Sequence, residues 1–193
     1  FGTPEVINLD KYLMEHYFDG DNYSVDFDTD YKALASYGFD IPEVYLNFDF
    51  SKGFKAYHEA CPDYIEGLNV FIASDDLKRL CDNIVFNAIK HGFTDPSRDD
   101  YSLFIELTVD QKRDMFQIDF RNNGTPLPKG VDKLRYGLKG EKAGSTAGTG
   151  EGGYVVKSIT EHYGGDYDIF CETSDNVSLT TVRVFLPIHR DNE

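Results

Sequence analysis

Two runs in the middle of the chain, "YSLFIELTV" (residues 101–109) and "DMFQIDF" (residues 114–120), alternate apolar and polar residues across the charged stretch "DQKRD". Successive side chains of a strand point to opposite faces, so each run predicts a strand with one dry face and one wet face. The short polar connection makes the pair an antiparallel hairpin, and its dry face has to be covered by apolar surface from elsewhere. Two amphipathic segments supply that cover. One is the helix containing "LCDNIVFNAIKHG" (residues 80–92), whose apolar face is Leu77, Leu80, Cys81, Ile84, Val85, Ala88 and Ile89. The other spans about Gly153 to Tyr163 and is stopped by Gly164 and Gly165. Further strands are expected at "EVYLNFDF", "LNVFIA", "DYDIFCE" and "LTTVRVFLP", and a short first helix, capped by Asn8, at "NLDKYLMEHYF". Ser74 or Asp75 is the expected cap of the helix that carries residues 80–92. These elements define an α+β class: a two-layer arrangement with helices on one face of a mixed, mostly antiparallel sheet. With 193 residues, 40% of them hydrophobic, and no internal repeat, the whole of 1–193 reads as one domain.

Charge and cysteine content narrow the function classes. A formal net charge of −15 argues against a general nucleic-acid surface and against attraction to anionic membranes. Much of the excess lies in residues 1–50, where eleven acids face only Lys11 and Lys32, the pattern of a solvated face. Cys61, Cys81 and Cys171 are scattered and form no CxxC, which argues against a disulfide framework or zinc site and fits a reducing, cytoplasmic setting. No apolar run approaches the ~20 residues of a membrane helix. The first residue is Phe1 rather than Met, as in a piece of a longer protein whose membrane anchor, if it has one, lies outside this sequence.

Chemistry can reside in three places. On the helix, Asn83, Asn87 and Lys90 follow an i, i+4, i+7 stripe beside the apolar face, with His91 at its edge. Asparagine is a poor interior helix residue because its side chain competes for backbone hydrogen bonds. Such a stripe is either solvated or a site, and amide oxygens are hard ligands suited to Mg²⁺ when phosphates complete the shell. The second place is "GTGEGG", Gly148 to Gly153, directly before a helix, where bare glycine backbone and a helix N-terminus favour phosphate. It formally matches GxGxxG through Gly148, Gly150 and Gly153, with Glu172 about 20 residues on. A dinucleotide turn must follow an apolar strand, however, and "LKGEKAGSTA" is not one. The third is "FRNNGTPLP", an Asn-Gly turn that either merely ends a strand or borders a flat ligand. Between the last two, residues 129–150 are rich in Gly and Lys, a long loop of the kind that is usually functional or disordered; weak order is expected around 138–150.

Taken in order, these motifs resemble the GHKL superfamily of ATP-binding domains, above all the catalytic domain of two-component sensor histidine kinases. "NIVFNAIKH" resembles that family's N box, "NNGTPLP" its first glycine box, "GTGEGGYVVKSITEHYGG" its second, and "TTVRVFLP" its closing strand. The resemblance covers residues 68–188, with 1–67 an acidic, loosely matching N-terminal part. It implies a Bergerat-type ATP-binding fold with ATP and Mg²⁺ as cofactors. By position, Asn87 would be the principal Mg²⁺ ligand with Asn83 assisting. Lys90, Lys139 and Lys142 would meet phosphates, Gly148, Gly150 and Gly152 would cradle them, and His91, Asn122, Gly124 and Thr180 or Thr181 would lie by the base.

Two residues depart from the family pattern. Asn122 stands where the first glycine box normally begins with an aspartate, and Pro126 replaces that box's second glycine. Asn122 is expected to accept a hydrogen bond from the base through its amide oxygen. Hydrolytic GHKL members, and as a rule anti-sigma-factor kinases, carry an acid four residues before the metal asparagine. Here that position is Asn83, which has no proton-accepting carboxylate. The resemblance therefore implies signal transduction by transfer of the ATP γ-phosphoryl group to a histidine. The acceptor would lie on a dimerisation domain of the parent protein outside this chain, with a response regulator as an indirect partner. His16 is a poor acceptor candidate because residues 1–20 are too short for a dimerising hairpin, and no residue here is assigned as catalytic. The competing readings are a degenerate nucleotide-binding or sensing module and an anti-sigma-type protein kinase.

Overall fold

The computed structural model describes residues 1–19, 22–23, 68–95, 97–98, 100–101, 103–138 and 152–190. The expected strand "EVYLNFDF", the loop residues 139–150 and the Lys90 side chain lie outside the described part.

Strand β1 (Glu5–Ile7) leads into helix α1 (Leu9–Tyr17), whose first turn is capped as expected: the Asn8 side chain accepts from the Lys11 N–H at 3.0 Å. The short strands β2 (Phe18–Asp19) and β3 (Asn22–Tyr23) pair with each other, and β4 (Leu68–Ile72) is the expected "LNVFIA" strand. Helix α2 (Ser74–Asn87) then continues as a π-helical turn, Ala88–Gly92. Its N-cap is Ala73, without a side-chain cap, rather than Ser74 or Asp75. Asp75 and Asp76 instead lie in the first turn, where carboxylates complement the positive end of the helix dipole.

The hairpin is β5 (Leu103–Asp110) and β6 (Met115–Asn122), in register from Leu103↔Asn122 to Asp110↔Met115. Its turn places Asp114 at φ 55°, a conformation that Asp tolerates better than most residues. A short helix α3 (Lys133–Tyr136) interrupts what composition reads as a continuous loop, capped by the Asp132 carboxylate accepting from the Arg135 N–H at 2.9 Å. Helix α4 (Gly152–His162) ends at Gly164, φ +76°, where the Gly165 N–H reaches back to the Thr160 carbonyl at 2.7 Å. Strands β7 (Asp166–Ser174) and β8 (Val177–Pro187) follow, then β9 (His189–Arg190).

The main sheet runs β5-β6-β8-β7, and β1-β4-β9 form a second, smaller sheet; all described pairings are antiparallel. One face of the main sheet presents Leu103, Ile105, Leu107, Phe116, Ile118, Phe120, Val184 and Leu186. Against it pack Leu77, Leu80, Cys81, Ile84 and Val85 of α2, Val156 and Ile159 of α4, and Leu9 and Leu13 of α1. Each large side chain removed from water there contributes about 1.5–3 kcal/mol. The opposite face carries an ion network instead. Asp119, 2% exposed, accepts from Arg183 Nε at 2.8 Å and from Arg121 at 3.0 Å, and Arg121 also reaches Glu106 at 2.7 Å. The alternation of β6 therefore separates an apolar helix-facing side from a charged one. That separation fixes which side of its C-terminal end can hold a ligand.

Candidate functional site

The site forms where α2, the end of β6 and the start of α4 converge. The apolar face of α2 is committed to the core, which leaves Asn83 and Asn87 half-buried on the side toward α4. The Asn83 amide donates to the carbonyl of Gly152 at 2.6 Å. Asn87 packs so closely against the same residue that a Cβ on Gly152 would stand 2.0 Å from Asn87 Nδ2. Glycine here is thus a condition of the contact, and it ties the two asparagines to the first turn of α4. Both amide nitrogens lie toward Gly152, and Asn87 Oδ1 would be farther from such a Cβ, at 3.4 Å.

Directly after Asn87 the π turn delivers Gly92 to the end of β6. The Gly92 carbonyl accepts from the Thr125 N–H at 2.7 Å, and a Cβ on Gly124 would lie 2.3 Å from that same oxygen. The two glycine backbones therefore meet face to face, and π turns of this kind are common at functional sites. Asn122, 6% exposed, closes the seam: its Oδ1 accepts from the Gly124 N–H at 3.0 Å. The Asn-Gly stretch is thus an Asx-type turn, as its local chemistry favours. Thr180 pairs with Asn122 across β8 and shares its face of the sheet, its hydroxyl directed to Cys171 Sγ at 3.8 Å. Thr181 pairs with Arg121 and by strand alternation faces the other way. Of the two threonines, Thr180 is the one brought beside Asn122.

Asn83, Asn87 and Gly152 thus gather at one end of the site, and Asn122, Gly124, Thr180 and half-buried His91 near the other. Lys139, Lys142, Gly148 and Gly150 lie outside the described residues, as does the Lys90 side chain. Gly92 belongs to the site although the motif spacing does not single it out. A signal for it exists, since a glycine directly ending "NAIKH" marks a close backbone approach.

Behind Asn83 and Asn87, α1 is locked to α2 through Asp82, the residue before Asn83. Asp82 Oδ1 accepts from His16 Nε2 at 2.9 Å and from the Tyr17 hydroxyl at 2.7 Å, while Lys78 bonds Oδ2. Burial pushes the Asp82 carboxyl up, but the hydrogen bonds from His16, Lys78 and Tyr17 outweigh it and hold it below the usual carboxylate range. Burial, with Cys81 and Asp82 nearby, drives the Tyr17 hydroxyl well above its ordinary value, so it stays a neutral donor.

The donor set suits a hard divalent cation only in part. Two neutral amide oxygens are hard ligands but carry no charge, and no group of three or more His, Cys, Asp or Glu placed to hold a metal occurs among the described residues. Such a cation fits here as a complex with phosphate oxygens, which supply the missing negative ligands.

The fold has relatives among known proteins. The family model described as "Histidine kinase-, DNA gyrase B-, and HSP90-like ATPase" matches residues 72–190, most of the chain, and the chain belongs to that family. The matched residues are an ATPase domain of that family. Among solved structures it is similar to the catalytic domain of histidine kinase ThkA in a nucleotide-free form, with a TM-score of 0.56 and 17% identity, covering 96% of this chain and 99% of that one. It is also similar to the mycobacterial sensor histidine kinase MprB, with a TM-score of 0.52, 19% identity and coverage of 64% and 77%. A third likeness is full-length ShkA in complex with AMPPNP, with a TM-score of 0.50, 12% identity and coverage of 84% and 35%. At these identities the likenesses establish the fold alone. No curated protein matches by sequence. Among the described residues no helix is long and apolar enough to cross a membrane.

Proposed function

We propose that this chain binds Mg-ATP and supplies its γ-phosphoryl group to a histidine on a dimerisation domain of the same parent protein, as the catalytic part of a two-component sensor histidine kinase. The observation that carries the reading is the clamp of Asn83 and Asn87 on Gly152 at the N-terminal turn of α4. It sets two amide side chains beside the N–H groups of a helix N-terminus, where a polyphosphate is favoured by the dipole and by donor geometry.

In this reading Asn87 and Asn83 hold Mg²⁺ through their amide oxygens, and the metal when bound neutralises phosphate charge and orients the transferring group. The first turn of α4 receives the phosphates, with Gly148, Gly150, Lys90, Lys139 and Lys142 as further phosphate contacts. Asn122, Gly124, Thr180 and His91 border the base. The position four residues before Asn87 offers no general base toward water, because Asn83 has no carboxylate. That favours transfer to a protein acceptor over hydrolysis. A response regulator would receive the phosphoryl group downstream.

Isothermal titration of the chain with a non-hydrolysable ATP analogue, with and without Mg²⁺, tests this. Binding should depend on Mg²⁺ and weaken at least about tenfold in Asn87→Ala, a loss on the order of 1.4 kcal/mol. Equal binding in Asn87→Ala, or no dependence on Mg²⁺, refutes the assignment. A nucleotide-binding module without catalysis is favoured by one observation, the engagement of Asn122 Oδ1 by Gly124. Under that reading nucleotide binds but the parent protein transfers no phosphoryl group.

A further inference from the structure

Helices α2 and α4 run antiparallel, and polar contacts fasten them to each other at two places. Near the start of α4, Asn83 and Asn87 meet Gly152. Just past its end, Tyr163 meets the start of α2: the Tyr163 hydroxyl accepts from the Ala73 N–H at 3.3 Å and donates to Asp76 Oδ2. Leu77, Leu80 and Ile84 of α2 share one core with Val156 and Ile159 of α4, so an apolar seam lies between the two polar contacts. From Asp76 to Asn83 helix α2 rises about 10 Å.

The contact at Tyr163 has a third member. Gly2 donates its N–H to the same Asp76 Oδ2 at 3.1 Å, and a Cβ on Gly2 would stand 2.9 Å from the Ala73 Cβ. The Phe1 ring lies flat on the His162 imidazole, with 3.8 Å between centroids and 5° between planes. Phe1 and Gly2 therefore bridge the start of α2 and the end of α4, ahead of β1. Asp76 is 2% exposed, and a carboxylate so far from water depends on the donors aimed at it. Arg79 stands 3.9 Å away on a side chain that is 59% exposed. Among the described residues, the close hydrogen bonds to Asp76 thus come from Gly2 and Tyr163. Loss of either drives the carboxylate toward water, and the join between the helices opens with it.

We propose that Asp76 and Tyr163 are positioning residues for the site at the opposite end of α4, and that Phe1 and Gly2 form the strap that sets them. Two helices joined on both sides of a shared apolar seam keep one relative angle. Freed on one side they pivot about the seam, and Gly152 then shifts against Asn83 and Asn87. A shift on the order of 1 Å is enough to spoil a site of fixed geometry. By linkage, whatever lifts the strap lowers the affinity for a ligand held at Gly152, and that ligand in turn holds the strap down. The link itself stands on the contacts between the helices; only its consequence for affinity rests on the nucleotide reading of the site.

Two variants of the whole chain test this. Tyr163→Phe removes the hydroxyl and keeps the ring, and Gly2→Ala presses the strap off Ala73 while leaving Asp76 and Tyr163 in place. The first readout is the NMR signal of the Asn83 side-chain amide, whose hydrogen bond to the Gly152 carbonyl is the site contact itself. The second is calorimetric titration with the Mg²⁺ complex of a non-hydrolysable ATP analogue. Asp119→Ala, with its lesion on the other face of the sheet, controls for lost stability alone. Both strap variants should move the Asn83 signal toward that of a water-exposed amide and weaken binding about fivefold or more, while Asp119→Ala changes neither. A wild-type signal in both folded variants overturns the proposal, as does an equal change in Asp119→Ala. A moved signal with wild-type affinity overturns the positioning role. If the wild-type chain binds no nucleotide at millimolar concentration, the nucleotide reading fails, and the Asn83 signal still decides the link: movement supports it and no movement overturns it. Should Tyr163→Phe not fold, Gly2→Ala at an exposed residue decides alone.

Discussion

Gly152 and Gly153 are adjacent in sequence, yet a methyl group added to each should have different consequences. At Gly152 the new Cβ would sit 2.0 Å from Asn87 Nδ2 and 3.1 Å from its Cγ, so the obstacle is the end of a side chain. Asn87 is half-buried and can rotate away, at about 0.5–1.5 kcal/mol for a displaced rotamer. Replacing glycine by alanine at the start of a helix returns up to about 1 kcal/mol of propensity. The two terms nearly cancel, so Gly152→Ala should change stability by no more than about 1 kcal/mol, or roughly 2–4 °C in Tm for a chain of this size. Nucleotide affinity should nevertheless fall about tenfold or more, because Asn87 has been pushed from the position in which it faces α4. At Gly153 the Cβ would lie 1.7 Å from the Tyr136 carbonyl oxygen and 2.6 Å from its carbon, both backbone atoms of α3. Backbone cannot rotate aside, and the cost should exceed the roughly 1–3 kcal/mol of ordinary overpacking. Differential scanning fluorimetry and calorimetric titration of both variants separate the effects. Wild-type affinity in a fully stable Gly152→Ala, or equal losses of Tm in the two variants, would refute this account of Asn87 and Gly152.

Two further perturbations probe the scaffold. The Asp82 carboxyl titrates below its ordinary range when folded, so its contribution is fully present above about pH 4, its unfolded value, and is lost as pH falls through the lowered folded value. Asp82→Asn should therefore cost about 1.5–3 kcal/mol at pH 7, with the Tm gap to wild type closing as pH falls below about 4; a gap independent of pH would contradict the assignment. Asp119→Ala should cost about 2 kcal/mol, less than a fully buried pair, because Arg121 and Arg183 are 28% and 30% exposed and can turn to water or, for Arg121, to Glu106. Nucleotide binding should be unaffected, since Asp119 lies on the opposite face of the sheet from Asn122, and a large loss of affinity in titration would overturn that separation.

The parts of this molecule that are legible in its sequence are those set by a local period. The two runs within residues 101–120 alternate on either side of a charged turn, and such alternation has one structural solution; α2 and α4 follow from 3.6-residue spacing and from Gly164, whose positive φ stops the second of them. The three-residue β1, the two-residue β9 and the single turn α3 are too short to show a period and exist because longer neighbours hold them, β4 in the first two cases. The site divides in the same way. Asn83 and Asn87 stand out because polar residues interrupt a helical pattern. Gly92 carries only the weak local signal of a glycine at a helix end, because what makes it necessary is Gly124, more than thirty residues away and brought to it by the fold.

Asn122 shows what composition of a motif leaves open. Read as a letter in place of an aspartate, it is a weaker acceptor for the same base. Within the fold, the Gly124 N–H takes one of the two lone pairs of its oxygen, so the acceptor that faces a ligand is shared with the backbone. The substitution thus acts together with one backbone hydrogen bond that no spacing in the sequence could show. The end of the site proposed for phosphate, where Asn83 and Asn87 meet Gly152, shares no hydrogen bond with that one.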